Sequence, residues 1–375
     1  MALLHPLPSM EYLLLEMFLT KFIDKLLLLP VLVVWQPLML KNIYLKNRMK
    51  YKAYLVEEND GKHIGRVKEL EMPDLENGNV IIKVHYSSLN YKDALASSGV
   101  KGVVKSYPFV PGIDVAGEII ETSNSEFSVG DNVVATGYKI GMSVYGGFGE
   151  LVQLPSKWVL KLPDNLTSFD SMSYGTAGIT AAACVKKIVD AHVSNELPIL
   201  VSGATGGVGS VSVGILAKLG YEVHAISGKQ DKIETLNTMG ASEVILRDRF
   251  TSEPAKALDK ALYGGAVDTV GGEILAKMIS MVANQGVVSC CGNVAGAMFT
   301  SSVFPFILRG VQLSGIDSAE SSLALKKELW NLLSDEWSLN LTKHIKTIKI
   351  DDIEDEVTKI LDGNQVGRVV IKHGD

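Results

Sequence analysis

Cysteine is scarce in this sequence, with three residues among 375: Cys184, Cys290 and Cys291. The sequence contains no Cys-x-x-Cys pair and no cluster of cysteine with histidine, which argues against a structural zinc site. Cys290 and Cys291 are adjacent in the chain, an arrangement that suits a reduced interior better than a disulfide framework. We therefore expect a cytoplasmic protein whose fold does not depend on disulfide bonds.

The sequence also lacks an excess of basic residues. Lysine and arginine number 36 against 42 aspartate and glutamate residues, which gives a formal net charge of −6. A nucleic-acid-binding protein would show the opposite balance. Hydrophobic residues make up 47% of the chain and charged residues 21%. This composition is typical of a soluble globular protein with one large domain or two ordinary domains.

The most apolar segment of the sequence is too short to span a membrane. It follows Lys25 and contains Pro30, Gln36 and Pro37, whereas a spanning helix needs about 20 apolar residues. The segment also lacks the small-residue cleavage site of a signal peptide. We interpret residues 1–48 as an extension that is not native, with the natural start at Met49. A membrane anchor and an additional packed element are the alternatives.

The residue pattern from Met49 onward predicts two kinds of structure. Alternating apolar and β-branched residues predict strands at 50–58, 79–90, 114–122 and 131–138, so the region to about residue 162 is predicted to be all β. An Ala-rich helix is predicted over 171–191, and strands and helices then alternate as far as residue 292. This alternation predicts an α/β fold with a parallel, doubly wound sheet and helices on both faces. The chain is mixed again after about Leu313 and ends in the strand GRVVIKH.

A cluster of glycines stands between the first strand and the first helix of the alternating region, in the stretch VSGATGGVGS. Ala204-x-Gly206-x-x-Gly209 matches the dinucleotide-binding fingerprint, with alanine in the first place. In that motif backbone N–H groups at the start of a helix bind pyrophosphate, and a side chain would block its approach. The strand–turn–helix context therefore favours a dinucleotide site over a plain tight turn.

The residues after the next strand indicate which dinucleotide is bound. NAD enzymes place an acidic residue near this point, about 20 residues after the glycines, to bind the ribose hydroxyls. Here the chain offers Ser227, Gly228 and Lys229 and no carboxylate, and Arg247 follows the strand EVIL. A cation and a hydroxyl suit a 2′-phosphate, so the sequence favours NADPH over NADH. Lys229 and Arg247 could alternatively be ordinary surface residues.

Five stretches of the sequence resemble the medium-chain dehydrogenase/reductase superfamily: SSLNYKDALASSG, YPFVPGIDVAGEI, VSGATGGVGSVSVGILAKLGYEVHAISGK, AVDTVGG and FPFILRGVQLSGIDS. More narrowly they are similar to its acryloyl-CoA reductase and quinone oxidoreductase branch. The resemblance covers about Met49 to Lys372. It implies a GroES-like β-barrel catalytic domain in two pieces, 49–172 and 313–375, around a Rossmann NADPH-binding domain at 173–312. Cofactor and substrate would share the cleft between the domains.

The resemblance also bears on metal chemistry. Zinc members of the superfamily hold a catalytic metal with cysteine and histidine ligands, and the matching positions here are Asn90, Ile113 and Thr176. These residues do not provide the donors that zinc requires. We therefore expect no metal. Without a Lewis acid to polarise a carbonyl, an activated C=C bond is the more suitable substrate.

The resemblance places a set of residues at the cofactor and the reaction centre. Tyr91 could donate a hydrogen bond or a proton beside the nicotinamide, or it could only pack against the cofactor. Asp114 could orient the substrate or serve a structural turn. The implied NADPH contacts are Tyr91, Thr205, Gly206, Gly207, Val208, Ser227, Gly228, Lys229, Arg247, Asn293, Ile307, Ser318 and Asn364.

The leading hypothesis is NADPH-dependent reduction of the C=C bond of an α,β-unsaturated acyl-CoA such as acryloyl-CoA. A quinone or enone reductase on the same scaffold is the first alternative, and a non-catalytic NADPH-binding protein is the second. The expected partner is a small-molecule substrate, with no nucleic acid and no membrane. A homodimer is the default assembly for such a fold.

Overall fold

The computed structural model describes residues 49–365 and 367–374. The interpretation of residues 1–48 as a non-native extension falls outside the described residues. The chain divides after Lys50 into two units, and the fold below is that of the second, from Tyr51 to the C-terminus. Within the described residues no helix is long and apolar enough to cross a bilayer.

The N-terminal part of this unit is rich in β structure, as the alternation of apolar residues predicts. Its strands are β1 (Lys50–Asn59), β2 (Lys62–Glu71), β3 (Asn79–Leu89), β4 (Asp114–Thr122), β5 (Asn132–Thr136), β6 (Leu151–Pro155) and β7 (Leu160–Lys161), with a 3₁₀ turn at Ser156–Trp158. One helix, α1 (Tyr91–Ser97), interrupts the region that was predicted to be all β. It starts where the Asp93 carboxylate accepts the backbone N–H of Asn90 at 2.8 Å, a local capping contact that strand periodicity does not reveal.

The central part alternates helices and strands. Its elements in chain order are α2 (Ser168–Asp190), β8 (Ile199–Val201), α3 (Gly207–Lys218), β9 (Val223–Ser227), a 3₁₀ turn (Gln230–Lys232), α4 (Ile233–Thr238), β10 (Glu243–Leu246), α5 (Arg247–Phe250), β11 (Gly265–Asp268), α6 (Gly272–Met281), β12 (Val287–Cys290), α7 (Phe304–Arg309) and β13 (Gln312–Gly315). The six strands pair in parallel in the order β10-β9-β8-β11-β12-β13. This is the Rossmann order, and the prediction of a doubly wound sheet is confirmed.

The side chains of β8 show that helices cover both faces of this sheet. Ile199 and Val201 are buried in one apolar cluster together with residues of α2 and α3. Leu200, which points to the other face because side chains alternate along a strand, is buried with residues of α6. All three side chains are fully buried, so the strand is apolar throughout, as expected for a parallel sheet with two covered faces.

The C-terminal part completes both domains. Its elements are α8 (Leu323–Ser334), a 3₁₀ turn (Thr342–His344), β14 (Ile345–Lys349), a 3₁₀ turn (Ile350–Asp352), α9 (Ile353–Leu361) and β15 (Arg368–Lys372). Strand β15 pairs antiparallel with β3 and parallel with β14, so the chain end closes the seven-stranded mixed sheet β14-β15-β3-β4-β5-β7, to which β6 is added through β3.

The predicted domain boundary at residue 312 is placed too early. Strand β13 pairs with β12 and is the sixth strand of the Rossmann sheet. Leu329 and Trp330 of α8 are buried in the same cluster as Ile179 of α2 and Val213 of α3. The chain joins the mixed sheet again only at β14. The sequence pattern failed here because β13 is short and its side chains are largely exposed, so it lacks the apolar signature of an inner strand.

Candidate functional site

The glycine-rich turn lies at the C-terminal end of β8, at the point where the strand order reverses. The chain leaves β8 after Val201, and the backbone N–H of Ala204 binds the carbonyl of Ile226 in β9 at 3.1 Å. Helix α3 starts at Gly207 with Gly206 as its N-cap, and no side chain caps it. Its first N–H groups therefore have no partner inside the helix, and they form a ready site for a phosphate.

The glycines of this turn have different reasons to lack a side chain. Gly203 has φ of +56°, and a Cβ atom there would lie 2.8 Å from Val270 Cγ1. At Gly209 a Cβ atom would lie 2.8 Å from the Cα of Ala204, so packing of the helix against the turn excludes it. At Gly206 the nearest atom to such a Cβ is the Gly203 carbonyl oxygen, at 3.2 Å. Packing therefore explains Gly203 and Gly209, while the space at Gly206 is open to a ligand.

A buried carboxylate that sequence reasoning missed fixes the shape of this turn. Asp268, the last residue of β11, accepts the Ser202 hydroxyl at 2.8 Å and the backbone N–H of Gly271 at 2.8 Å. The Ser202 hydroxyl oxygen in turn accepts the N–H of Thr269 at 2.9 Å. Burial raises the pKa of the Asp268 carboxyl. The sequence does contain a signal for this contact: Asp268 ends the apolar run AVD, and Ser202 ends the apolar run ILVS.

The residues proposed for the 2′-phosphate lie together at the end of β9. The Ser227 hydroxyl accepts the backbone N–H of Lys229 at 3.0 Å. The Arg247 guanidinium lies over Gly228, where a Cβ atom would be 3.3 Å from Arg247 Cζ. Lys229 Nζ donates to the carbonyl of Gln365 at 2.8 Å, and burial lowers the pKa of its ammonium group. The Arg247 guanidinium therefore lies over Gly228, and the Lys229 ammonium group is held at the loop after α9.

The other predicted cofactor contacts lie in several separate segments of the chain. Thr205 and Val208 are half-buried in the glycine turn. Ser318, which follows β13, shares a hydrogen bond of 2.6 Å with Thr180 of α2. Asn293 and Asn364 lie in exposed loops, and Ile307 is 69% exposed on α7. Among the described residues, no hydrogen bond ties Asn293, Ile307 or Asn364 to the glycine turn.

Asp114 is at the centre of a buried polar network and not at a surface. Its carboxylate accepts the Ser88 hydroxyl at 2.5 Å, Asn90 Nδ2 at 2.8 Å, and the Thr176 hydroxyl and backbone N–H at 2.5 and 2.8 Å. The residue has no exposed surface. Direct orientation of a substrate by Asp114, one of the two roles predicted for it, does not agree with this environment. Its contacts agree instead with a structural role, in which the carboxylate holds Ser88, Asn90 and Thr176 in place.

Arg368, which sequence reasoning also missed, supplies the positive charge of this network. Its guanidinium donates to the Ser88 hydroxyl at 2.8 Å and to Asn90 Oδ1 at 3.0 Å, and it lies 4.0 Å from the Asp114 carboxylate. Burial lowers the pKa of Arg368, and the neighbouring carboxylates oppose that shift. The second carboxylate is Asp93, whose pKa is raised to about 7 by burial and by the charge of Asp114.

The same network answers whether zinc fits at Asn90, Ile113 and Thr176. Asn90 and Thr176 already donate hydrogen bonds to Asp114, and Asn90 Oδ1 is taken by the Arg368 guanidinium. Ile113 is an alkyl side chain with no donor atom. An amide, a hydroxyl and an alkyl group beside a buried guanidinium do not form a zinc site. Across the described residues there is also no group of three or more His, Cys, Asp and Glu side chains arranged to hold a metal ion.

Arg368 connects this network to the dinucleotide turn. A Cβ atom on Gly207 would lie 3.1 Å from Arg368 Cδ and 3.1 Å from the Ala177 side chain. The turn is therefore in contact with β15 and with α2, just beyond the kink at Gly175, where φ is +52°. Tyr91 follows Asn90 directly and opens α1, with 54% of its side chain exposed. No residue of the described chain hydrogen-bonds its hydroxyl group.

Lys326 forms a second bridge between the domains. It is fully buried on α8, donates to the carbonyls of Thr136 at 2.6 Å and Ala319 at 2.9 Å, and lies 3.4 Å from the centre of the Tyr138 ring. Burial lowers the pKa of its ammonium group to about 8. Thr136 is the last residue of β5 in the mixed sheet, and Ala319 directly follows Ser318. The lysine therefore holds the segment that contains Ser318 against the mixed sheet.

Two family models match the chain in the regions of these two domains. The model for the alcohol dehydrogenase GroES-like domain matches residues 76–164, and the model for the zinc-binding dehydrogenase domain matches residues 207–335. Together with the Rossmann order and the glycine turn, they define a two-domain dehydrogenase or reductase of the alcohol dehydrogenase type.

Individual relatives place the chain more narrowly. The acrylyl-CoA reductase AcuI of Ruegeria pomeroyi is 36% identical over 317 residues, which covers 84% of this chain and 96% of the relative. YhfP of Bacillus subtilis, provisionally named a quinone oxidoreductase, is 38% identical over 325 residues, covering 86% of this chain and 98% of the relative. The chain belongs to the medium-chain dehydrogenase/reductase superfamily, in the branch that contains these two proteins.

Solved structures agree with this placement. The Salmonella enterica oxidoreductase YhdH in complex with NADP has 36% identity and a TM-score of 0.83, covering 86% of this chain and all of that one. YhfP with NAD bound has 37% identity and a TM-score of 0.84, covering 86% of this chain and 99% of that one. The predicted fold class and superfamily are therefore confirmed.

Proposed function

We propose that this protein reduces the C=C bond of an α,β-unsaturated acyl-CoA, of the acryloyl-CoA type, with NADPH as the reductant. The observation that carries the proposal is the similarity to an acrylyl-CoA reductase, which covers 84% of this chain and 96% of the relative. The Asp114–Arg368 network supports it, because its amide, hydroxyl and alkyl side chains do not fit a zinc ion that would polarise a carbonyl substrate. A conjugated thioester instead spreads the developing charge onto its own oxygen.

The residues present fit a phosphorylated dinucleotide. The open N-terminus of α3 at Gly206 and Gly207 suits the pyrophosphate, and Ser227, Lys229 and Arg247 suit the 2′-phosphate. When bound, NADPH supplies a hydride, so that an enoyl thioester, NADPH and a proton give the saturated thioester and NADP⁺. Tyr91, with its hydroxyl free in the described structure, would donate a hydrogen bond to the thioester oxygen or a proton to the α-carbon.

The alternative supported by a specific observation is a quinone or enone reductase, since YhfP carries that provisional name. The deciding experiment is a spectrophotometric assay of NADPH oxidation with acryloyl-CoA, a small enone and a benzoquinone as separate substrates. We expect the highest kcat/KM with acryloyl-CoA and propionyl-CoA as the product. A higher value with the quinone would favour the alternative, and binding of NADPH without turnover of any substrate would indicate a non-catalytic binder.

Replacement of Lys229 by alanine tests the cofactor assignment. Because Lys229 directly follows Ser227 and Gly228 and no carboxylate stands at Ser227–Lys229, we expect the KM for NADPH to rise about tenfold, which corresponds to about 1.4 kcal/mol. The KM for NADH should change little. Lys260→Ala, an exposed lysine of the same domain, is the matched control. An equal loss for both cofactors would contradict a 2′-phosphate contact.

A homodimer through the edge of the Rossmann sheet is the assembly we propose. Among the strands of the described residues, β13 pairs with β12 alone, and Leu313 on it is 38% exposed. Nearby, α7 exposes Phe304, Ile307 and Leu308, and exposed apolar side chains beside an open edge favour pairing with a second copy. Light scattering should give twice the mass of the chain, and Leu313→Lys should give the single mass.

The cytoplasmic location stays a prediction.

A further inference from the structure

A cavity to which no part of the cofactor or substrate has been assigned lies between the Rossmann domain and the segment that returns to the mixed sheet. Its volume is about 350 Å³, within the range of small-molecule sites. Thr205, Ser210 and Lys232 line it from the Rossmann side, and Lys343, His344 and Lys346 line it from the returning segment. Leu236 and Met239 of the region around α4 add an apolar wall.

The charged residues that line this cavity are all basic. None of its lining residues is acidic. Lys232 pairs with Asp231 at 2.9 Å and Lys346 with Glu356 at 2.5 Å, and both carboxylates lie outside the lining. Lys343 has no ion pair among the described residues. A concave site with three ammonium groups and an imidazole, beside an apolar wall, matches a ligand that carries several phosphates and a flat apolar ring.

Two of the residues that line the cavity are neighbours in the chain of residues at the glycine turn and in the Asp114–Arg368 network. Thr205 belongs to the glycine turn, two residues before Gly207. Gly367 precedes Arg368, which binds Asn90 next to Tyr91. A molecule held in the cavity could therefore extend past the glycine turn toward Tyr91. The cations at Lys229 and Arg247, which suit the cofactor phosphate, are a separate group of residues and do not line this cavity.

We propose that this cavity binds the phosphate-bearing nucleotide end of the acyl-CoA substrate. The lysines would contact the pyrophosphate and the ribose phosphate, and Met239, which is half-buried, would pack against the adenine ring. The proposal rests on the proposed function, because it assumes that the substrate is a CoA thioester. It adds a specificity site: an acyl group on a short pantetheine carrier would lack these contacts.

The experiment compares acryloyl-CoA with acryloyl-pantetheine, which lacks the nucleotide, as substrates of the full-length enzyme and of Lys232→Ala/Lys343→Ala. Because exposed charge contacts are individually weak, the loss of two of them should raise the KM for acryloyl-CoA roughly tenfold. The KM for acryloyl-pantetheine and the KM for NADPH should stay unchanged. Lys187→Ala, an exposed lysine on α2, is the control and should alter none of the three.

Two results would overturn the cavity proposal. A rise in the KM for NADPH instead would assign the cavity to the cofactor, and unchanged constants for all ligands would exclude an anion site. If the unaltered enzyme turns over neither thioester, the proposed function fails separately. Calorimetric titration with CoA itself then decides the cavity: binding that the double variant weakens supports it, and binding that is equal in both proteins, or absent from both, overturns it.

Discussion

Replacing Arg368 with methionine is expected to lower the free energy of unfolding by about 3–5 kcal/mol, measured by urea denaturation. The guanidinium is fully buried beside Asp114 and Asp93, so its removal leaves two buried carboxylates without a cation. It also removes the hydrogen bonds to Ser88 and Asn90.

The loss should depend on pH with a definite sign. In the native protein the pKa of Asp93 is raised to about 7, so the folded state binds this proton more tightly than the unfolded chain does. The contribution of that proton to the free energy of unfolding is present at acid pH and is lost as the pH rises from about 4 through 7. Without Arg368 the pKa of Asp93 should rise further. The destabilisation of the variant should therefore be larger at pH 8 than at pH 5.

Two further variants control the interpretation of this result. Lys372→Met changes an exposed side chain of the same strand and should leave stability nearly unchanged. Asp114→Asn in the Arg368→Met background removes one unpaired charge and should restore part of the loss. A decrease below about 1 kcal/mol in the single variant would mean that the cluster does not depend on the guanidinium.

Replacing Tyr91 with phenylalanine is expected to lower kcat and kcat/KM together by roughly 100-fold, with little change in the affinity for NADPH. The hydroxyl group of Tyr91 has no partner among the described residues. Tyr91 is the first residue of α1 and directly follows Asn90, which binds Arg368, and Arg368 contacts the glycine turn. A group that donates only to the developing charge on the thioester oxygen contributes to the transition state and not to cofactor binding.

Steady-state kinetics with acryloyl-CoA separates the possible roles of Tyr91. Tyr221→Phe, which alters a tyrosine bonded to the Val193 carbonyl at the other end of the Rossmann sheet, should leave both kinetic constants unchanged. A higher KM for NADPH with a preserved kcat would show that Tyr91 positions the cofactor. If both constants of Tyr91→Phe stay near those of the unaltered enzyme, the tyrosine has no part in the chemistry.

The parts of the site that lie within a few residues of one another could be predicted from the sequence. Ser227, Gly228 and Lys229 are neighbours in the chain, and a strand end brings them together whatever the rest of the fold does. The glycine turn belongs to the same class as far as Gly203, Gly209 and the helix that follows define it, whereas its contact with Asp268 of β11 could not be predicted from neighbouring residues. The role of Asp114 could not be predicted, since an aspartate after a glycine turn is consistent with either a substrate contact or a buried network.

The sequence by itself determined the β-rich region, the alternating region with its parallel sheet and the dinucleotide turn of this protein, because hydrophobic periodicity and glycine placement act over short distances along the chain. The tertiary structure alone decided where the charges meet. Arg368 reaches Asp114 because β15 pairs with β3, Lys326 reaches Thr136 because α8 packs across the domain boundary, and Lys232 and Lys343 line one cavity because the chain returns to the mixed sheet. Such pairings follow from how whole elements pack, and no local pattern of residues encodes them.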